Sequence, residues 1–439
     1  MPEYMSLVLF ATVFALLLLG FPVAFTLGGV SLIFGYFTFG MSLFQLLPLR
    51  IWGTMTNYVL IAVPLFVYMG LMLEKSGLAE ELLETMAMLF GKLRGGLAVS
   101  VIVVGAVLAA STGIVGATVV TMGLLSLPTM IKRGYSPELT TGTICAAGTL
   151  GQIIPPSIVL VLLGSVLNVS IGDMFIGAVV PGIILVSLYI LWIIIVAFIR
   201  PEAAPAMPAS ELADFRNSGM YKKIFRAFFL PFFLIVAVLG SIFAGIASPT
   251  EAAAVGAMGA TFLTIWQKKL NMTTLREVML GTTTLTSMVF ILIVGASAFG
   301  LVFRGMGGDR YITNLILGAG MEPGHFLLIV MLVIFVAGFF IDFIEITFII
   351  VPVVAPIFQQ MGIDLLWIGI LIAMNLQTSF LTPPFGFSLF YLKGVAPPEI
   401  TTSQIYKGII PFIVIQMICL LIVVIWPETV TWLPKYMAK

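Results

Sequence analysis

Two proline pairs interrupt long apolar runs, and the residues around them are the strongest candidates for chemistry. The pairs stand in Gly151-x-x-x-Pro155-Pro156-Ser157 and in Ser379-x-x-Thr382-Pro383-Pro384-Phe385-Gly386. Because proline lacks a backbone N–H and restricts the preceding residue, a helix must open at each pair and leave carbonyls without intrahelical partners. Open backbone inside a membrane is tolerated only where it packs against protein or lines a cavity. We therefore expect two ion- or substrate-facing breaks. Structural kinks packed on neighbouring helices are the alternative.

Uncharged oxygen atoms gather around both breaks and predict a pair of cation sites. Hydroxyl and carbonyl oxygens without formal charge suit an alkali cation better than Zn²⁺ or Cu²⁺, which prefer nitrogen or sulfur ligands. The predicted ligands are Ser111, Thr112, Gly151, Ile154 and Pro156 in the first half of the chain, and Gly338, Ser379, Thr382 and Pro384 in the second.

A substrate site is predicted beside these cations. Half-helices that restart near Ser157 and Phe385 would turn their N-termini toward one cavity and attract an anionic group. The predicted substrate-binding residues are Gly113, Ser157, Asn375, Phe385 and Gly386. For Asn375, and for the neighbouring Gln377, hydrogen bonding between buried helices is equally open.

Few ionisable residues lie at membrane depth. Asp342 and Glu345 are three residues apart and share one helical face, so we predict that they act as ion ligands, a proton site, a gate or a coupling pair. Solvation in a watery vestibule is the alternative. Glu251 belongs to the pattern Ser248-Pro-Thr-Glu251, which predicts a capping box at a helix start.

The composition excludes several classes of protein. Apolar residues make up 61% of the chain and charged residues 9%, and the mean hydropathy is +1.19, so we expect an all-α polytopic membrane protein. The net charge of +1 and the absence of basic runs give no indication of nucleic-acid binding. No nucleophile–base pair, phosphate loop or multi-histidine metal motif is present, so we expect no enzyme and no cofactor.

The apolar runs predict ten crossings and two re-entrant hairpins. Complete crossings are expected at 5–20, 22–39, 57–74, 175–199, 226–247, 250–267, 284–303 and 406–426, and broken helices at 138–168 and 365–393. The runs 97–131 and 326–358 fit hairpins with tips at 111–113 and 338–342, or one long kinked helix each. Interfacial amphipathic segments are expected near 41–56, 78–91, 271–283 and 308–320.

The two halves of the chain repeat each other. Pro128, Pro155 and Pro156 recur 228 residues later as Pro356, Pro383 and Pro384. Because each half holds five crossings, an odd number, the second repeat must be inverted relative to the first. The repeats span 1–200 and 226–439, and 201–225 is the cytoplasmic linker. With both termini outside, fifteen of the 20 Lys and Arg residues fall inside, as the positive-inside rule requires.

These motifs together resemble the large membrane subunit of tripartite ATP-independent periplasmic (TRAP) transporters. The resemblance rests on the features Gly134-Tyr135, Gly151-x-x-x-Pro155-Pro156-Ser157, Ser248-Pro-Thr-Glu-Ala-Ala-Ala-Val-Gly256 and Thr382-Pro-Pro-Phe-Gly386. It implies an elevator-type transporter with an architecture like the ion transporter superfamily, and import of a small organic acid driven by a sodium gradient. The implied sodium sites lie at the hairpin tips and broken-helix carbonyls.

The resemblance also implies partners and a location. The partners are a small four-helix membrane subunit, expected to be a separate polypeptide, and a periplasmic substrate-binding protein. The location is the bacterial inner membrane, in contact with lipid, with both termini periplasmic. Two other functions stay open: a stand-alone Na⁺- or H⁺-coupled carboxylate or ion transporter of the same architecture, and a membrane scaffold or channel that transports nothing against a gradient.

Overall fold

The computed structural model describes residues 4–112, 115–208, 223–383 and 386–437 of the 439-residue chain. The described residues form helices and their connections and include no strand. Numbered in chain order, the helices are α1 Met5–Leu18, α2 Val23–Phe39, α3 Leu43–Met55, α4 Ala62–Lys75, α5 Leu78–Phe90, α6 Gly96–Thr112, α7 Val115–Lys132, α8 Pro137–Thr149, α9 Ile158–Leu167, α10 Ile171–Ile199, α11 Leu230–Phe243, α12 Pro249–Trp266, α13 Met272–Gly305, α14 Gly308–Gly318, α15 Pro323–Ala337, α16 Phe343–Ile349, α17 Val351–Gln360, α18 Leu365–Leu381, α19 Phe387–Val395, α20 Thr402–Ile425 and α21 Glu428–Met437.

The helices have the length and composition of a membrane protein. Seven helical stretches of the described chain are long and apolar enough to cross a bilayer, or eight if the bent pair α16 and α17 counts as one span. Large apolar side chains such as Phe25, Phe198 and Phe233 are exposed on the outside of the bundle. Exposure of this kind marks a surface that faces lipid. The prediction of an all-α polytopic membrane protein is confirmed.

Two helices differ from the sequence prediction. The segment 271–283 is not a separate interfacial helix, because α13 runs unbroken over 34 residues and joins it to the predicted crossing at 284–303. No proline interrupts this stretch, and Asn271 caps its start by accepting a hydrogen bond from the N–H of Thr274 over 2.7 Å. The second difference is α21, Glu428–Met437, which the sequence analysis missed.

The two broken helices lie at the centre of the fold. The first consists of α8, a short 3₁₀ turn over Leu150–Gln152 and α9, and the second consists of α18 and α19. α9 packs against α18, while α19 packs against α8 and against α7 of the first hairpin. Each broken helix therefore contacts the other through both of its halves.

A helical hairpin packs against each broken helix. In the first hairpin, α6 and α7 pack against each other and both contact α8. In the second, α15 leads to a non-helical turn at 338–342, and the returning arm is bent by 52° between α16 and α17. Pro352 explains the bend, because it offers no N–H to the carbonyl of Phe348 one turn earlier. The sequence analysis did not predict where this arm bends.

The second arm of each hairpin ends in the same way. Gly134 follows α7 with φ +81° and Gly362 follows α17 with φ +71°. This left-handed backbone is the usual helix end at glycine and strains other residues. The two glycines are separated by the same 228 residues as the proline pairs.

The remaining long helices form a frame around this centre. α13 packs against α2, α3 and α4, and α4 also packs against α12 and α6. A polar contact joins the frame to the first hairpin: Thr121 Oγ1 on α7 donates to Glu74 Oε1 on α4 over 2.9 Å.

The segment after α10 is fixed to the base of the first hairpin. Three backbone hydrogen bonds hold it, from Gly95 N to Ala204 O (2.9 Å), from Ser136 N to Ala203 O (3.0 Å) and from Met207 N to Gly91 O (2.9 Å). The side chains of Ala204 and Met207 are buried. We call residues 203–207 the strap.

Candidate functional site

The first break separates α8 from α9 and is closed by its own serine. Ser157, the N-cap of α9, is fully buried and donates from Oγ to the carbonyl oxygen of Gln152 over 3.0 Å. In the described part of the chain, no N–H or O–H donates to the carbonyls of Ile154 or Pro156. Both belong to the predicted cation ligands, and carbonyls in this state are competent to bind a cation.

The second break separates α18 from α19 in a comparable way. Buried Ser388, in the first turn of α19, donates from Oγ to the carbonyl oxygen of Phe380 over 2.9 Å. The hydroxyl groups of Ser379 and Thr382 donate to the carbonyls of Leu376 (2.8 Å) and Thr378 (2.7 Å). Since each hydroxyl proton is used in this way, the oxygen lone pairs remain available to a cation.

The turn of the second hairpin lies directly on this break. Gly338 is buried, and a β-carbon added to it would overlap Ser379 Oγ. The ring centroids of Phe343 and Phe380 lie 6.4 Å apart beside this contact. The structure therefore brings two predicted cation ligands, Gly338 and Ser379, together.

The chain is related to known transporters. Residues 10–429 match the family model described as the tripartite ATP-independent periplasmic transporter, DctM component. The chain belongs to this family. The C4-dicarboxylate TRAP transporter large permease proteins of Pseudomonas aeruginosa and Vibrio cholerae are each 31% identical to this DctM-family chain. The matches cover 89% of the chain and 90% of the first relative, and 97% of the chain and 96% of the second.

Other relatives have different substrates in their names. The ectoine TRAP transporter large permease protein of Halomonas elongata is 28% identical, over 98% of this DctM-family chain and 99% of the relative. Among solved structures, the Alcanivorax borkumensis YdaH transporter superposes with a TM-score of 0.64 at 14% identity and covers 89% of both chains. That likeness concerns the fold alone. Membership in a family of transporter permease subunits agrees with the prediction that the chain is not an enzyme.

Asp342 and Glu345 form a capping box in this DctM-family chain. The Asp342 side chain accepts from the first N–H groups of α16, including Phe343 N over 2.7 Å, and Glu345 Oε2 accepts from Asp342 N over 3.2 Å. The gate or coupling role of this pair stays a prediction. Independently of that role, the two side chains cap the start of α16. The spacing Asp-x-x-Glu already indicates such a cap. The capping box predicted at Ser248 and Glu251 is confirmed.

The amide side chains divide into two groups. Asn375 donates from Nδ2 to the carbonyl of Met331 over 2.7 Å and so ties α18 to α15. Gln152 and Gln377 are buried, and their side-chain amides have no hydrogen-bond partner among the described residues. A buried amide in this state is a candidate ligand for an ion, a substrate or water. Gln152 was missed, although its place in the break was a usable signal.

The other predicted residues are placed only in part. Gly151 lies in the buried 3₁₀ turn of the first break, and Gly386 is the N-cap of α19, one residue beyond the expected start at Phe385. Ser111 and Thr112 are the last residues of α6, but their side chains lie outside the described part of the structure. Gly113, Pro384 and Phe385 also lie outside the described residues.

Proposed function

We propose that this DctM-family chain is the transport subunit of a sodium-driven importer of a small organic acid. The observation that carries the proposal is the packing of two broken helices against each other, each with uncharged oxygen atoms at its break. This donor set suits Na⁺, because hard, neutral oxygens bind alkali cations without the nitrogen or sulfur that transition metals prefer. The Na⁺ ligands would be the residues predicted at the two breaks and hairpin tips.

The electrostatics support coupling to a cation gradient. The acid would bind beside the N-termini of α9 and α19, where helix dipoles favour negative charge. Two cations would offset the charge of a dicarboxylate. Each elementary charge that moves inward gains about 2.3 kcal/mol per 100 mV of membrane potential, so cation entry can drive accumulation.

The proposed movement is that of an elevator built from two inverted repeats, 1–200 and 226–439, joined by the linker 201–225. The hairpins and broken helices would move as one unit against the frame of α2, α4, α12 and α13. Two observations support the repeats: both proline pairs stand at breaks, and Gly134 and Gly362 adopt the same left-handed conformation at the same separation. The hairpins would be re-entrant from opposite faces.

The proposed location, partners and substrate class follow from the family. The chain would work in the bacterial inner membrane, with both termini periplasmic, together with a small four-helix membrane subunit and a periplasmic binding protein. Relatives are named for C4-dicarboxylate, ectoine and sialic acid, so the class of substrate is proposed as organic acid without a choice within it.

Uptake in proteoliposomes tests the proposal. The large chain is reconstituted with the small subunit, and labelled acid is added with or without the binding protein and with Na⁺ or choline outside. We expect accumulation only with both Na⁺ and the binding protein. Uptake that needs no binding protein would favour a stand-alone transporter. Absence of labelled counterflow from a reconstitution that still leaks substrate would favour a channel.

A further inference from the structure

A cavity opens at the end of α12, and none of the described residues that line it belongs to either break. It has a volume of about 230 Å³ and is lined, among the described residues, by Phe225, Arg226, Leu230, Trp266 and Gln267. It stands where the span 225–243 begins and where α12 ends. Lys269, two residues after Gln267, donates from Nζ to the carbonyl oxygen of Gly77 over 3.1 Å. The cavity therefore lies at the same end of the bundle as the loop after α4.

Gln267 gives the cavity an unsatisfied polar group. The residue is 7% exposed, and neither its Nε2 nor its Oε1 has a hydrogen-bond partner among the described residues. Because a buried amide without a partner is destabilising, such a group indicates a ligand or water. Its backbone carbonyl is used separately, as an acceptor from Arg226 Nη2 over 3.4 Å.

Arg226 gives the cavity its charge. Its side chain is 44% exposed, and its Nε lies 3.8 Å from Glu81 Oε1. Glu81 is shared, because Lys269 Nζ lies 3.3 Å from the other carboxylate oxygen. One carboxylate thus faces two cations, so these three groups together carry one net positive charge. A guanidinium group has a planar fork of donors that fits phosphate oxygens.

The walls of the cavity are aromatic and continue toward the middle of the bilayer. Phe225 and Trp266 are both more than half exposed at the mouth, and Phe229 and Phe262 are exposed one helical turn deeper on the same two helices. Tryptophan in this position is typical of the boundary between headgroups and acyl chains. Residues Phe225–Phe229 form a π-helical turn, a widened geometry that is rare and often found at functional sites.

We propose that this cavity binds an anionic phospholipid. The phosphate lies against Arg226, the Gln267 amide donates to a phosphate or glycerol oxygen, and the acyl chains lie along Phe229 and Phe262. The choice of a lipid over a soluble anion rests on the exposed aromatic side chains below the cavity, which a soluble anion would leave uncovered and acyl chains would cover. This inference goes beyond the transport function and does not depend on sodium coupling.

Native mass spectrometry and thermal unfolding of the purified chain, alone and with its small subunit, test the proposal. Phosphatidylglycerol and phosphatidylcholine are titrated in neutral detergent. We expect tighter binding of phosphatidylglycerol and a rise in the unfolding temperature that Arg226→Gln and Gln267→Leu each reduce. For Arg226→Gln the expected loss of affinity is roughly tenfold or more, as for a charge-assisted hydrogen bond.

Two control variants separate the lipid from other effects. Arg276→Gln removes the same charge from an exposed position outside the cavity and should leave lipid binding unchanged. Glu81→Gln breaks the ion pair but keeps Arg226, so lipid binding should persist or strengthen. If Glu81→Gln lost lipid binding as Arg226→Gln does, the cavity would depend on the ion pair and the proposal would be wrong.

Three further results would overturn the lipid assignment. Equal binding of the two lipids would remove the role of charge. Equal stabilisation by glycerol phosphate, which has no acyl chain, would indicate a soluble anion. If Arg226→Gln released the small subunit without changing lipid binding, the cavity would be a protein contact.

Discussion

Ser157 Oγ donates to the carbonyl oxygen of Gln152 over 3.0 Å and thereby ties the second half of the first broken helix to the first half. The second broken helix has the same arrangement between Ser388 and Phe380, over 2.9 Å. The two accepting residues, Gln152 and Phe380, are 228 apart, the separation of the proline pairs. At both breaks, a serine at the start of the following half-helix therefore donates to a carbonyl on the other side of the break.

Removal of either serine hydroxyl should weaken sodium dependence. Ser157→Ala and Ser388→Ala each leave a buried carbonyl without its donor, which costs about 1–3 kcal/mol and loosens the half-helix that shapes the break. We expect the sodium concentration for half-maximal uptake to rise severalfold in each variant. Ser403→Ala, at an exposed position, is the matched control. An unchanged sodium dependence in both break variants would separate these serines from the site.

A methyl group at Gly338 should displace the turn of the second hairpin from the second break. The added β-carbon of Gly338→Ala would overlap Ser379 Oγ, so the hairpin turn must move away from the second break. We expect uptake to fall at least tenfold with normal membrane insertion. Gly324→Ala lies on the same hairpin arm and meets nothing within 4 Å, so it should retain activity. Equal activity of the two variants would mean that close seating of the turn is not needed.

Substitutions of Asp342 can separate its role as the N-cap of α16 from a role of its carboxylate in transport. Asparagine is as good an N-cap as aspartate, whereas alanine costs about 0.5–2 kcal/mol. We expect Asp342→Asn to keep thermal stability, and Asp342→Ala to lower the unfolding temperature. Transport assays at several pH values provide the check. If Asp342→Asn folded normally but lost transport, the carboxylate would have the coupling or gating role predicted from the sequence.

The strap over residues 203–207 should stabilise the base of the first hairpin. Ala204→Asp places an unpaired charge at a buried position, which should cost about 3–5 kcal/mol. Ala206→Asp makes the same change at an exposed position of the same segment and should be neutral. Thermal unfolding in detergent measures the difference. Equal unfolding temperatures would show that the strap does not contribute to stability.

The features that the sequence predicted correctly are those with local causes. Proline pairs break helices wherever they stand. The turn at 338–342 begins at a glycine, Gly338, and ends at an N-cap residue, Asp342, inside an apolar run. The capping box at Asp342 was also readable, since it has the same spacing as the one recognised at Ser248.

Two of the features that were missed depend on distant parts of the chain. The place of Gln152 in the break was a usable signal, but its lack of a hydrogen-bond partner depends on burial by other helices. The contact of Glu81 with Lys269 joins residues 188 positions apart. The course of α13 was mispredicted because a polar first half resembles an interfacial segment, although nothing in it ends the helix.

Entry of radioactive sodium with the substrate tests the central claim most directly. Proteoliposomes that hold the large chain and the small subunit, with the binding protein outside, are given radioactive Na⁺ with or without the acid. If cations bind at the two breaks and move with the acid, sodium entry should begin only when the acid is added and should fall with acid uptake in Gly338→Ala. Acid uptake without any accompanying sodium entry would contradict the account.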